Sequence, residues 1–188
     1  MREALTEVPS GSRVRVLFQD ESRFGCISDL RRCWAPVHMR PQVGHQVIRE
    51  YVYTLGAVCP QDGALVSLVM PWVDAEVMSI FLTHTAAAFS TDFCLMFLDG
   101  AGWHRADELR VPDSMKLMAL PPYSPELNPV EQVWKHLRQN HFANAVFDTL
   151  DDVERVLCRG LRTLAGQPHL VRSMTNFRWL NALCLMYN

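Results

Sequence analysis

The sequence predicts an α/β fold in which helices cover a sheet of five strand candidates, and three observations support it. Five short β-rich or apolar runs occur at 14–19, 51–58, 64–70, 93–98 and 115–120. The fourth, Phe93-Cys94-Leu95-Met96-Phe97-Leu98, is apolar on both faces, as a central strand covered from either side must be. Between and after these runs, apolar residues recur at helical spacing. At 188 residues, with 49% hydrophobic and 20% charged side chains, the chain fits a single globular domain.

Residues 1–13 read as a polar lead-in broken by Pro9, Ser10 and Gly11, and 14–188 as one domain. In 14–19, Val14, Val16 and Phe18 alternate onto one face, and Asp20 is expected on that face at the strand's end. Runs 51–58 and 64–70 flank Pro60-Gln61-Asp62-Gly63, a hairpin signal. Asp74 can cap a helix to about Phe89, with Val77, Met78, Phe81, Leu82 and Thr85 on its inner face. A short helix is expected before strand 115–120. Pro121, Pro122, Pro125 and Pro129 then stiffen the approach to another helix. Asn128 suits its N-cap and Pro129 its first turn, while Val130, Val133, Trp134 and Leu137 form its buried stripe. Beyond Phe147 the chain reads as mostly helical, with Val153, Val156, Leu157, Leu161 and Leu164 on one face.

The chemistry is concentrated in three acids at element boundaries: Asp20, Asp99 after the central run, and Glu131 at a helix start. At about 100° per residue, Glu131 flanks the buried stripe and can face a cleft at the sheet's edge. Gathered there, three carboxylates would suit hard divalent cations, and a pair of such ions can drive phosphodiester cleavage. Each acid also has a structural reading. Asp20 and Asp99 could be turn residues, and Glu131 could complete a capping box with Asn128 or an ion pair with Lys135. Glu21 points away from Asp20, which suits a supporting role.

Composition narrows the alternatives. A formal charge of −2 argues against a dedicated DNA-binding module without excluding a nuclease. No run approaches a membrane span of about 18 apolar residues, and the N-terminus carries no secretion signal, so a cytoplasmic protein is expected. Six cysteines without a C-x-x-C pair read as reduced thiols, and Cys26, Cys33, His38 and His45 lack the tight pairing of a zinc site. Arg23, Arg31, Arg32, Arg40 and Arg49, with Lys135 and Arg138, could track a phosphate backbone or simply be solvated. His104 could contact a phosphate or hold a loop.

Four motifs occur in order: Phe18-Gln19-Asp20-Glu21-Ser22-Arg23-Phe24-Gly25, Arg31-Arg32-Cys33-Trp34-Ala35-Pro36, Leu98-Asp99-Gly100-Ala101-Gly102-Trp103-His104, and the stretch from Leu120 through Tyr123-Ser124-Pro125-Glu126-Leu127-Asn128-Pro129-Val130 to Glu131. Together they resemble the DDE catalytic domain of bacterial insertion-sequence transposases in the mariner-related branch. The resemblance implies a ribonuclease H-like fold, with a mixed five-stranded sheet flanked by helices and a helical C-terminal extension. It implies Asp20, Asp99 and Glu131 as catalytic ligands of two Mg²⁺ ions, with Mn²⁺ as a substitute. Cutting at element ends and transfer of the 3′ hydroxyl into target DNA would follow.

Glu21, Arg23, Arg31, Arg32, Trp34, Trp103, His104, Tyr123, Asn128, Lys135 and Arg138 are then candidates for DNA contact or support of the acids. The implied partners are DNA, further copies in a homodimer or higher assembly, and a separately encoded helix-turn-helix half. About a dozen residues precede the first strand, too few for such a module. A bacterial cytoplasmic setting, at the nucleoid when DNA-bound, is the matching expectation. A nuclease or resolvase on the same fold, and an inactive assembly remnant, are the alternatives.

Overall fold

The structure, a computed structural model, describes residues 11–100, 108–122 and 124–180. Five strands form one sheet in the order β3-β2-β1-β4-β5: β1 Arg13–Gly25, β2 Tyr51–Val58, β3 Leu65–Met70, β4 Asp92–Leu98 and β5 Met115–Ala119. β1, β2 and β3 pair antiparallel, whereas β1, β4 and β5 pair parallel, so the sheet is mixed as expected. The helices are α1 Ala75–Ala88, α2 Val130–Leu137, α3 Leu150–Ala165 and α4 Pro168–Thr175. Residues 108–114 before β5 contain no helix, and 101–107, where the expected short helix could also fall, lie outside the described residues.

Two apolar cores lie on opposite faces of the sheet. On one, α1 contributes Val77, Met78, Phe81 and Leu82 against Leu17, Cys94, Met96 and Leu98. On the other, α2, α3 and α4 pack Val133, Trp134, Leu137, Leu157, Leu161 and Val171 against Val16, Phe18, Leu95 and Phe97. Every residue of β4 is buried, which explains why its sequence shows no polar face. Asp74 caps α1 by accepting a hydrogen bond from the Val77 amide at 2.8 Å.

The first strand differs from its expected extent. It does not stop at Gln19 but runs on to Gly25, because 18–25 pair with β2 after pairing with β4 has ended at Phe18. Asp20 is therefore a mid-strand residue. Its alternation was read correctly, since Val16, Phe18 and Phe24 all enter the core beneath α2.

At the opposite end of the sheet, Arg15 ties the hairpin to β4. Its guanidinium donates to Asp62 at 2.5 Å and Asp92 at 2.6 Å and lies 4.4 Å over the Phe89 ring. Gly63 turns the hairpin at φ +77°, and a Cβ there would meet the Pro168 carbonyl oxygen. Only glycine lets α4 dock so closely. Cys26, Cys59 and Cys94 are buried, and the five described cysteines are free. Burial pushes the Cys59 and Cys94 thiols up to about 11, so they remain neutral. Among the described residues no helix is long and apolar enough to cross a membrane.

Candidate active site

Asp20 and Asp99 are brought together by strand register. β1 and β4 run parallel with Phe18 beside Phe97, and the same offset carried two residues on sets Asp20 level with Asp99. Neighbouring strands lie about 4.8 Å apart, so both carboxylates emerge at one end of the sheet. β4 ends at Leu98, which leaves Asp99 exposed at the rim.

Glu131 reaches the same place through Asn128. This residue is 4% exposed. Its Nδ2 donates to the Gln19 carbonyl at 2.8 Å, and its Oδ1 accepts the Val130 amide at 3.2 Å. One carboxamide thus fastens the start of α2 to the residue preceding Asp20. The stiff proline-rich approach ends in a 3-10 turn, Pro125–Leu127, that delivers Asn128. Helix α2 starts at Val130, with Pro129 already helical at φ −66°.

The three acids line one cleft of about 460 Å³, with Gly100, Leu120, Pro121, Pro122 and Asn128 among its walls. Asp20 is half-buried there. Burial first, and then the facing Glu131, push its carboxyl up to about 7, with Glu21 and Asp99 adding to the effect. Trp134 opposes the shift, because its Nε1–H donates to Asp20 Oδ2 at 2.8 Å.

That indole needs room. Gly56 is the β2 partner of Asp20, and a Cβ at Gly56 would lie 2.5 Å from Trp134 Cη2. The missing side chain is what allows the ring to lie across the sheet and reach the carboxylate. Farther along the same face, Arg138 donates to Ser22 Oγ at 2.5 Å and lies 5.1 Å over the Phe24 ring.

The acids do not form a finished chelate. Among the described residues, no three His, Cys, Asp or Glu side chains converge on one point as metal ligands would. Trp134 engages one oxygen of Asp20. The donor set nonetheless fits a hard divalent cation, which takes oxygen ligands and, as Mg²⁺, keeps several waters with only one or two carboxylates. Burial raises Asp20 most and the neighbouring carboxylates add to it, and a cation bound there would act in the opposite direction.

The remaining candidates are more scattered. Glu21 lies on the α1 side and accepts Gln19 Nε2 at 3.0 Å. Arg23 is exposed, with its guanidinium 5.0 Å from the Tyr51 ring. Arg31 pairs with Asp29 and, with Arg32 and Trp34, sits in the exposed irregular stretch before β2. Lys135 is exposed on α2. Trp103, His104 and Tyr123 lie outside the described residues. Sequence reasoning missed Trp134 as a partner of Asp20 and missed Gly56 altogether. The available signal was a lone glycine inside a β-rich run, which marks a close approach.

Comparison with known proteins identifies the family and the fold. A family model described as DDE superfamily endonuclease matches residues 15–154. An uncharacterized protein y4pE/y4sA of Sinorhizobium fredii (strain NBRC 101917 / NGR234) is 39% identical over 130 residues, which is 69% of this chain and 96% of that protein. Among solved structures, a pre-cleavage Mos1 transpososome matches with a TM-score of 0.58 at 14% identity, over 87% of this chain and 56% of that one. The mariner Mos1 paired-end complex with Mg gives 0.57 at 15%, over 87% and 56%. The Mos1 strand transfer complex gives 0.56 at 15%, over 87% and 55%. At such identity the likeness is one of fold, and the chain spans little more than half the length of these solved proteins.

Proposed function

The chain belongs to the DDE superfamily of endonucleases, and from that premise we propose that it is a transposase catalytic domain in which Asp20, Asp99 and Glu131 carry DNA strand cleavage and 3′-end transfer. The observation that carries this reading is the single cleft lined by all three acids. The fold shared with Mos1 complexes, one of them a strand transfer complex, supports it.

Asp20, Asp99 and Glu131 would hold the divalent cations, Mg²⁺ or Mn²⁺ and two in number. When bound, such ions lower the pKa of a nucleophilic water and stabilise charge on the departing oxygen. The residues of the chain do the positioning. Asn128 sets the start of α2, and with it Glu131, against β1, while Trp134 fixes the orientation of Asp20. In cleavage, the oxygen of water bonds to phosphorus as the P–O3′ bond breaks, leaving a 5′ phosphate and a 3′ hydroxyl. In transfer, that 3′ hydroxyl bonds to a target phosphorus and expels another 3′ oxygen, so one phosphodiester replaces another. Asp20 would serve both steps as the ionised carboxylate, the form that a bound cation favours.

DNA is the partner this chemistry requires. Arg23, Arg31, Arg32 and Lys135 are exposed cations that would meet its backbone. A homodimer or higher assembly on DNA, and a helix-turn-helix half supplied separately, complete the proposal.

The test uses a labelled duplex carrying a pre-cut end together with a supercoiled plasmid in Mg²⁺ or Mn²⁺. Joining of the labelled 3′ end to plasmid, lost in Asp99→Asn, is the expected result. Nicking without joining would indicate the nuclease alternative. Metal-independent behaviour identical in wild type and variant would remove the catalytic reading altogether.

A further inference from the structure

β3 is an outer strand of the sheet and pairs with β2 alone. The Cys59 amide donates to the Ala64 carbonyl at 2.9 Å. With that register, Val66, Leu68 and Met70 turn their backbone groups toward β2, and Leu65, Ser67 and Val69 turn theirs outward. Among the described residues no other backbone group bonds to these outward amides and carbonyls. Edges of this kind are ordinarily blunted by a charge or a proline. Leu65–Met70 contains neither, and every residue of it is only partly buried.

The strand is complementary to itself. Reversed about Ser67, it sets Leu65 opposite Val69, Val66 opposite Leu68 and Ser67 opposite Ser67, so apolar meets apolar and hydroxyl meets hydroxyl. Helix α3 packs against β3 on the face of Leu65 and Val69. Its exposed side carries Asp151 and Glu154 near the start and Arg159 and Arg162 near the end. A neighbouring α3 running the opposite way meets acid with base, whereas one running the same way meets like with like.

We propose that β3 pairs antiparallel with β3 of a second copy about a two-fold axis at Ser67, joining two sheets into one in the absence of DNA. A foreign strand would need apolar side chains on both faces and a charged neighbour matched to α3, and a reversed copy of this chain supplies both. The contact consumes the open edge of each copy, so assembly closes at the dimer. It stands on the sheet edge and α3, independently of the role of the three acids.

The test is sedimentation of the full chain without DNA across micromolar concentrations, with thermal unfolding of each variant alongside. Wild type and Ser67→Ala should dimerise reversibly. Ser67→Pro removes the outward amide at an edge position where proline is tolerated, and should weaken association by about tenfold or more. Ser67→Lys places like charges opposite each other at the axis, should weaken association as much, and should recover part of it in high salt. The lysine variant decides the matter if the proline variant loses its unfolding transition. A wild type that stays monomeric throughout, or folded variants that dimerise as tightly as wild type, overturns the proposal.

Discussion

Trp134 donates its indole N–H to Asp20 Oδ2 at 2.8 Å across the backbone of Gly56. A core aromatic and a strand glycine therefore jointly set the direction of this half-buried acid. Gly56→Ala places a methyl 2.5 Å from the ring edge and should displace the indole. Overpacking of this kind costs about 1–3 kcal/mol. Trp134→Phe keeps the apolar contact with Phe24 but removes the donor. Supports of this type change metal affinity or activity by about 10–100-fold. A metal titration of cleavage paired with urea unfolding separates the two. Trp134→Phe should shift the metal midpoint more than stability, and a midpoint unchanged in both variants would contradict the positioning role.

The Asp20 carboxyl at about 7 makes stability depend on pH. Between its unfolded value near 4 and about 7, the folded chain binds more protons than the unfolded chain, so stability falls as pH rises through that window. Asp20→Asn removes the penalty. The variant should be more stable than wild type at pH 8, by an amount on the order of a few kcal/mol at most, and the gap should close toward pH 4. Parallel thermal unfolding curves across that range would show it. A constant gap would mean that Asp20 does not titrate there.

Asn128 joins Gln19 of β1 to Val130 of α2 through both ends of its carboxamide. Asn128→Ala leaves a buried carbonyl and a helix-start amide without a partner, at about 1–3 kcal/mol. Asn128→Asp keeps the acceptor but loses the donor, and should fail at the Gln19 carbonyl. Urea unfolding should rank wild type above both variants, with cleavage falling further than stability because Glu131 rides on the same helix start.

Among the described residues, the Arg15–Asp92 pair is the most buried ion pair remote from the acids, with side chains 11% and 5% exposed. Asp92→Ala leaves the guanidinium with Asp62 alone, so the loss should stay below that of a buried pair left with no partner, about 3–5 kcal/mol. The loss should appear in the urea midpoint while the metal midpoint of the folded fraction stays put. An equal shift in both would mean that the two ends of the sheet are coupled.

Much of this fold could be read locally. The unbroken apolar run of β4, the Asp74 cap of α1, and the Val130, Val133, Trp134 and Leu137 stripe of α2 were all visible as spacing, and each occupies its expected place. Asp99 and Glu131 were visible because they sit at element ends. Non-local relationships were hidden. The extension of β1 to Gly25 depends on pairing with β2, which begins only at Tyr51. Trp134 looked like core because most of its surface is core, and its donor became functional only once register set Asp20 opposite Gly56. The contacts of Arg15 likewise join segments far apart in sequence.

Manganese binding by the intact chain at pH 8, followed by electron paramagnetic resonance, tests the central claim most directly. Saturable binding weakened about tenfold or more in Asp99→Asn and Glu131→Gln is the predicted result. Binding equally tight in wild type and both variants would contradict a metal site built from these carboxylates.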